Sequence, residues 1–163
     1  MLHRHGRFFR NVLPLAECVV IPIFRFRCPR CGGTTSVVPT FLQPKQQTAV
    51  DIQETVVQGE VCGATRQTMA QRSAAWPGGP WSVRTIRRWC RRWSERLARL
   101  EGTLAAWILS RHPAMTLPRK RASGWPAWFI WWERLRREGD EYLSLLHRLN
   151  RLDRPLALTV PTC

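Results

Sequence analysis

Residues 82–104, SVRTIRRWCRRWSERLARLEGTL, leave the chain little freedom of fold. Ser82 is a favoured helix N-cap, and it directly follows WPGGPW, a run of proline and glycine that no helix interior tolerates. Val83, Ile86, Trp89, Cys90, Trp93, Leu97, Leu100 and Leu104 then recur at spacings of three and four, so one face of a long helix must be buried. The opposite face carries Arg84, Thr85, Arg87, Arg88, Arg91 and Arg92. Guanidinium groups on such a face reach phosphates or the acceptor edge of guanine in a major groove.

The preceding segments brace this helix. TAVDIQETVVQGE places Val50, Ile52, Val56 and Val57 on one side of a first helix, with Gly59 as its stop. CGATRQTMAQRSAA predicts a second, short helix with Ala64, Met69 and Ala70 facing inward. Helix, short helix, turn and basic helix is the helix-turn-helix order, in which the last helix enters the major groove. WPGGPW is longer than a minimal turn and points to a winged or expanded variant.

Residues 1–27 alternate β-branched, aromatic and basic residues and predict a hairpin of short strands. The hairpin runs into Cys28-Pro29-Arg30-Cys31-Gly32-Gly33, a CPxCG turn of the kind that presents two thiolates to zinc, and the strand-like TTSVVP follows. A closed site needs four ligands. The remaining candidates, His3, His5 and Cys18, lack knuckle spacing, so zinc binding stands against a metal-free β turn. Cys18, Cys62 and Cys163 read as isolated thiols and Cys90 as a core residue. PTFLQP, residues 39–44, reads as an extended linker.

Beyond the long helix, residues 113–124 form a loop with the charge run Arg119-Lys120-Arg121, read as a solvated linker or a phosphate-contacting arm. WPAWFIWWERLRRE and DEYLSLLHRLNRL predict two helices divided at Gly139. Trp125, Trp128, Phe129, Trp132 and Leu135 line the first, and Tyr142, Leu145, Leu146 and Leu149 the second, as a hairpin docking on the long helix. The tryptophans suit core or dimer packing, and alternatively a base-stacking platform or interfacial anchor. The tail from residue 156 reads as loosely ordered.

The formal net charge of +15 over 163 residues favours a polyanionic partner. Lys45 and Lys120 are the only lysines, a bias that fits bidentate contacts and equally a GC-rich coding sequence. Six scattered cysteines, the absence of a signal-peptide pattern and the lack of a long apolar run point to a reducing cytoplasm without membrane insertion. Only eleven acids are present, most beside basic partners on predicted helices, and no carboxylate triad for two-metal phosphoryl transfer is identifiable.

FRFRCPRCGGTTSVVPTFLQP followed by VDIQETVVQGE and SVRTIRRWCRRW resembles bacterial zinc-ribbon plus helix-turn-helix proteins of uncharacterised function, related to the N-terminal regions of insertion-element transposases. The resemblance covers roughly residues 3–104, and WPAWFIWW and LLHRLNRL look like the family's C-terminal helices. It implies Cys28 and Cys31 as the second zinc-ligand pair and another CxxC just upstream of an RHG-like strand, which Arg4-His5-Gly6 matches. Either the start is assigned downstream of that first knuckle or half of the ribbon is lost. His3 and His5 match no family ligand position.

The resulting expectation is a mostly α fold with a small N-terminal β hairpin, zinc-ribbon-like. Residues 1–44 form the β module, 45–111 the helix-turn-helix domain, 112–124 a linker and 125–163 a helical hairpin with tail. Its partner is double-stranded DNA, with a transposase or a second copy engaged through the Trp-rich helices, in a nucleoid-associated cytoplasmic protein without its own catalytic site. The alternatives are an accessory or catalytic transposase subunit, an RNA- or protein-interaction module, or a decayed element without current role.

Overall fold

A computed structural model describes residues 2–117, 124–139 and 142–153. The fold is mostly α with a small N-terminal antiparallel sheet. Among the described residues the elements are β1 (His3–Val12), β2 (Val19–Arg27), β3 (Thr34–Val37), α1 (Val50–Val61), α2 (Arg66–Arg72), α3 (Val83–Leu109), α4 (Trp125–Arg137) and α5 (Leu145–Asp153). The strands are longer than the sequence predicts. β1 and β2 pair over nearly their full length, with a bulge at His5, and β3 covers β2 only from Phe24 to Arg27. Pro22 sits in β2 beyond that cover, where β2 has one unpaired edge and a missing N–H is tolerated.

The apolar stripes of the helices meet in one core. Ile86, Trp89, Trp93, Leu97, Leu100 and Leu104 of α3 join Ile52, Val56 and Val57 of α1, Met69 of α2, Trp128 and Trp132 of α4, and Leu145, Leu146 and Leu149 of α5. α4 and α5 therefore pack as part of the helical body. Tyr142 departs from its predicted inward position: α5 starts three residues later, and Tyr142 is 91% exposed. Gly59 does not end α1 either. It lies within the helix, where an added Cβ would strike Met69, and the chain turns at Gly63 with φ 85°. The glycine permits close approach of α1 to α2.

A second, smaller core joins sheet to helices. Val12, Leu42 and Ala49 are buried together, with Val19, Ile21, Val38 and Phe41 packed against them. The segment 39–44, expected as an extended linker, is a packed connector. Leu42 is fully buried, and Asn150 of α5 donates from Nδ2 to the carbonyls of Thr40 and Leu42, at 2.6 and 2.9 Å.

Three buried polar residues tie the helices to one another and to residues 46–48 that follow this connector. Gln53 accepts from Trp93 Nε1 at 2.8 Å and donates to Gln46 and to the carbonyl of Thr48. Arg96 pairs with Asp153 at 3.1 Å, donates to Asn150 and lies 4.6 Å from the Trp93 ring centroid. Glu54 accepts from Ser144 Oγ and from the amides of Leu145 and Leu146 at the start of α5. A carboxylate at a helix N-terminus satisfies amides that have no partner within the helix.

Candidate nucleic-acid interface

The basic helix begins where its sequence says it should. Ser82 is extended and accepts from the Thr85 amide at 3.2 Å, so α3 starts at Val83. The turn before it is an ordered stack. Trp81 lies 6.1 Å from Trp76 and 5.3 Å from Trp89, its amide donates to Ser73 Oγ, and Cβ atoms at Gly78 and Gly79 would collide with Leu13 and the Ser73 carbonyl. WPGGPW is thus an expanded turn that clamps the start of α3 against α2 and the sheet module.

With about 100° between successive helix residues, Arg84, Arg87, Arg88, Arg91 and Arg92 fall within one arc opposite the buried stripe. Arg84, Arg87, Arg88 and Arg91 are exposed. Among the described residues none of Arg84, Arg87 and Arg88 meets a carboxylate within ion-pair distance, while Arg91 has only a solvent-exposed contact with Glu95 at 3.6 Å. Burial, then Arg88 and Arg91, depress the Arg92 pKa. Like charges thus crowd one helix face, and an anion there relieves the repulsion. The Thr85 hydroxyl is engaged with Ser82 Oγ at 3.1 Å, so this predicted contact residue belongs partly to the helix cap.

Beside this face lies a cleft of about 920 Å³ between α3 and the 43–48 connector, lined among others by Arg10, Gln43, Lys45, Thr85, Arg88, Arg92 and Arg96. No carboxylate is among its lining residues. Arg92 reaches across to Gln43 Oε1 at 3.3 Å, and Arg10 donates to the Gln46 carbonyl. Burial lowers the Arg10 pKa. Gln43 Nε2 is buried and has no hydrogen-bond partner among the described residues. Lys45, at φ 60°, is the only non-glycine described residue with positive φ and stands exposed on the connector. Arg10, Gln43 and Lys45 are not among the contact residues that the sequence predicts. No periodic signal marks them, because the fold brings them to α3 from some 40 or more positions away. The predicted arm at Arg119, Lys120 and Arg121 lies outside the described residues.

The candidate zinc donors separate. Cys28 and Cys31 share a turn closed by Gly32 N to Cys28 O at 2.9 Å and Cys28 N to Gly33 O at 2.8 Å, with Cys28 buried and Cys31 exposed. His3 stands opposite Arg27 at the same end of the sheet, and His5 is the bulged residue. Cys18 lies beyond the other end of β2, roughly 30 Å away at about 3.3 Å per residue, so it does not complete a site with Cys28 and Cys31. Among the described residues no three His, Cys, Asp or Glu side chains converge on a metal position. Cys28 and Cys31 together supply two donors, and a tetrahedral zinc site needs four. Cys90 is a core thiol, its pKa pushed up to about 12 chiefly by burial and then by Glu60. Cys163 lies outside the described residues, as does the predicted tail.

The tryptophans of α4 are largely occupied within the fold. Trp128 and Trp132 are buried and donate to Glu101 and the Leu143 carbonyl, and Trp125 donates to Ser94. On α4 the large apolar side chain left in solvent is Ile130, 72% exposed. No helix among the described residues is long and apolar enough to cross a membrane. Comparison finds no family model, no curated protein and no solved structure that matches the chain.

Proposed function

We propose that the chain binds double-stranded DNA by placing the first three turns of α3 in the major groove, as the DNA-recognition module of a mobile element. One observation carries this reading: an arginine row, of which Arg84, Arg87 and Arg88 have no carboxylate partner among the described residues, opposite the buried stripe of a helix braced by α1 and α2. A major groove about 12 Å wide admits such a helix, and Arg84, Thr85 and Arg88 lie in its first two turns, where base edges are read. Arg91 and Arg92 serve phosphates, and Arg10 and Lys45 extend that positive wall along the flanking backbone. The link to mobile elements rests on the order of CPxCG turn, bracing helices and basic helix. In that role the module recruits a separate transposase chain and works on the nucleoid in the cytoplasm.

The test selects a preferred duplex from a random pool and titrates it against wild type and Arg88→Ala. A bidentate arginine–guanine pair contributes about 1–3 kcal/mol of discrimination, so about tenfold or greater loss is expected on the selected site and a few-fold on random duplex. Equal losses on both remove Arg88 from base reading.

A further inference from the structure

The sheet has two faces of opposite character. Strand alternation and the observed register put Phe8, Arg10, Val12, Ile21 and Ile23 on one side, and this side turns toward the connector core, which Val12 and Ile21 join, with Ile23 also fully buried. The other side collects Arg4, Arg7, Phe9, Val20, Phe24 and Phe26. Phe9 is 62% and Val20 61% exposed, and Phe24 and Phe26 are half-buried. Arg4 lies 4.8 Å from the Phe24 ring centroid and Arg7 5.3 Å from that of Phe9. No other described element covers Phe9.

We propose that this outer face is a stacking platform for single-stranded DNA, separate from the duplex face of α3. Two features select this occupant over an apolar protein segment. First, rings alternate with arginines, and across residues 2–49 the only carboxylate is Glu17, so the patch offers bases a π surface and phosphates a cation at each step. Second, Phe9 faces Pro22 and Phe24 faces Arg7, which places the two rings on a cross-strand diagonal roughly 7–8 Å apart. Adjacent nucleotides of an extended strand reach both. The arginine contacts over the rings are exposed and weak, so the guanidinium groups can turn to phosphates as bases take their places.

The full chain is titrated with a labelled oligo-dT 15-mer, the same duplex as above, and oligo-U. Phe9→Ala is expected to weaken oligo-dT binding about tenfold, the loss of one base–aromatic stack, and to leave duplex binding within about twofold. Phe9→Trp retains oligo-dT affinity and Phe9→Leu does not. Arg88→Ala serves as the reciprocal variant: it lowers duplex affinity and spares oligo-dT, so failure of the α3 reading and failure of the platform give different patterns. The platform is overturned if wild type does not bind oligo-dT, if Phe9→Ala is silent or lowers both ligands equally, if Phe9→Leu binds as wild type, or if oligo-U binds about tenfold tighter than oligo-dT.

Discussion

Glu54→Gln isolates the electrostatics of the α1–α5 junction. Glu54 is 6% exposed, and burial pushes its carboxyl from 4.5 up to about 7 despite hydrogen bonds from Ser144, Leu146 and Leu145 and the field of Arg136. In the unfolded chain the proton leaves near the ordinary value, whereas the folded chain holds it to about pH 7. Between those values the folded state binds more protons, so wild-type stability falls as pH rises from 4.5 to 7 and is flat above. At about 1.4 kcal/mol per pKa unit the span amounts to about 3 kcal/mol. The amide variant keeps an acceptor for the α5 amides without the titration. Urea unfolding of both proteins from pH 4.5 to 8 gives the difference directly. His147, held below its ordinary 6.5 mainly by burial, destabilises both proteins as pH drops and cancels in that difference. Glu54→Gln is expected to gain on wild type by about 3 kcal/mol over that range. A difference independent of pH, or one that shrinks as pH rises, refutes the reasoning, because the hydrogen bonds and Arg136 then stabilise the charged form more than burial penalises it.

Three further outcomes follow from the packing. Leu104→Ala, at a fully buried position of α3, should lower unfolding free energy by about 2–5 kcal/mol in urea titration. Gly79→Ala drives a Cβ into the Ser73 carbonyl and should cost about 3 kcal/mol, seen as a lower melting temperature, whereas Gly102→Ala meets open space and should leave the melting temperature equal or higher. Asn150→Ala leaves the carbonyls of Thr40 and Leu42 without their donor, and should increase hydrogen exchange and proteolysis around residues 39–49 before the helical core.

Much of the helical body is legible in the sequence because its signals are local. Ser82 announces α3, and three-four spacing picks out the buried stripes of α1 and, from Ile86 onward, of α3, whereas Val83, predicted on the same stripe, is 37% exposed. The errors arise where a local rule meets a distant partner. Gly59 reads as a stop until Met69 is seen to need its missing side chain. PTFLQP reads as a linker because Asn150, more than 100 positions away, supplies its hydrogen bonds. Tyr142 fits the helical period of the residues after it, but α5 begins later, with Glu54 accepting from its first amides. The arginine row of the candidate site was readable on one helix. Its opposite wall, Arg10, Gln43 and Lys45, was not, since only the packing of the sheet module against α3 brings it there.

The central claim concerns the exposed arginine face of α3, and the most direct measurement is duplex binding by the triple variant Arg84→Gln, Arg87→Gln, Arg88→Gln. All three side chains are exposed and without carboxylate partners among the described residues, so the fold is expected to persist, as far-UV circular dichroism checks. The base contacts of Arg84 and Arg88 are worth about 1–3 kcal/mol each on the selected duplex, so their loss lowers affinity on the order of 100-fold, and the one phosphate neutralisation lost with Arg87 lowers the slope of log affinity against log salt by about 0.9. Fluorescence anisotropy titrations at several salt concentrations give both quantities. The account predicts that loss together with the shallower slope, and a folded variant that binds duplex within about twofold of wild type with the same slope contradicts it.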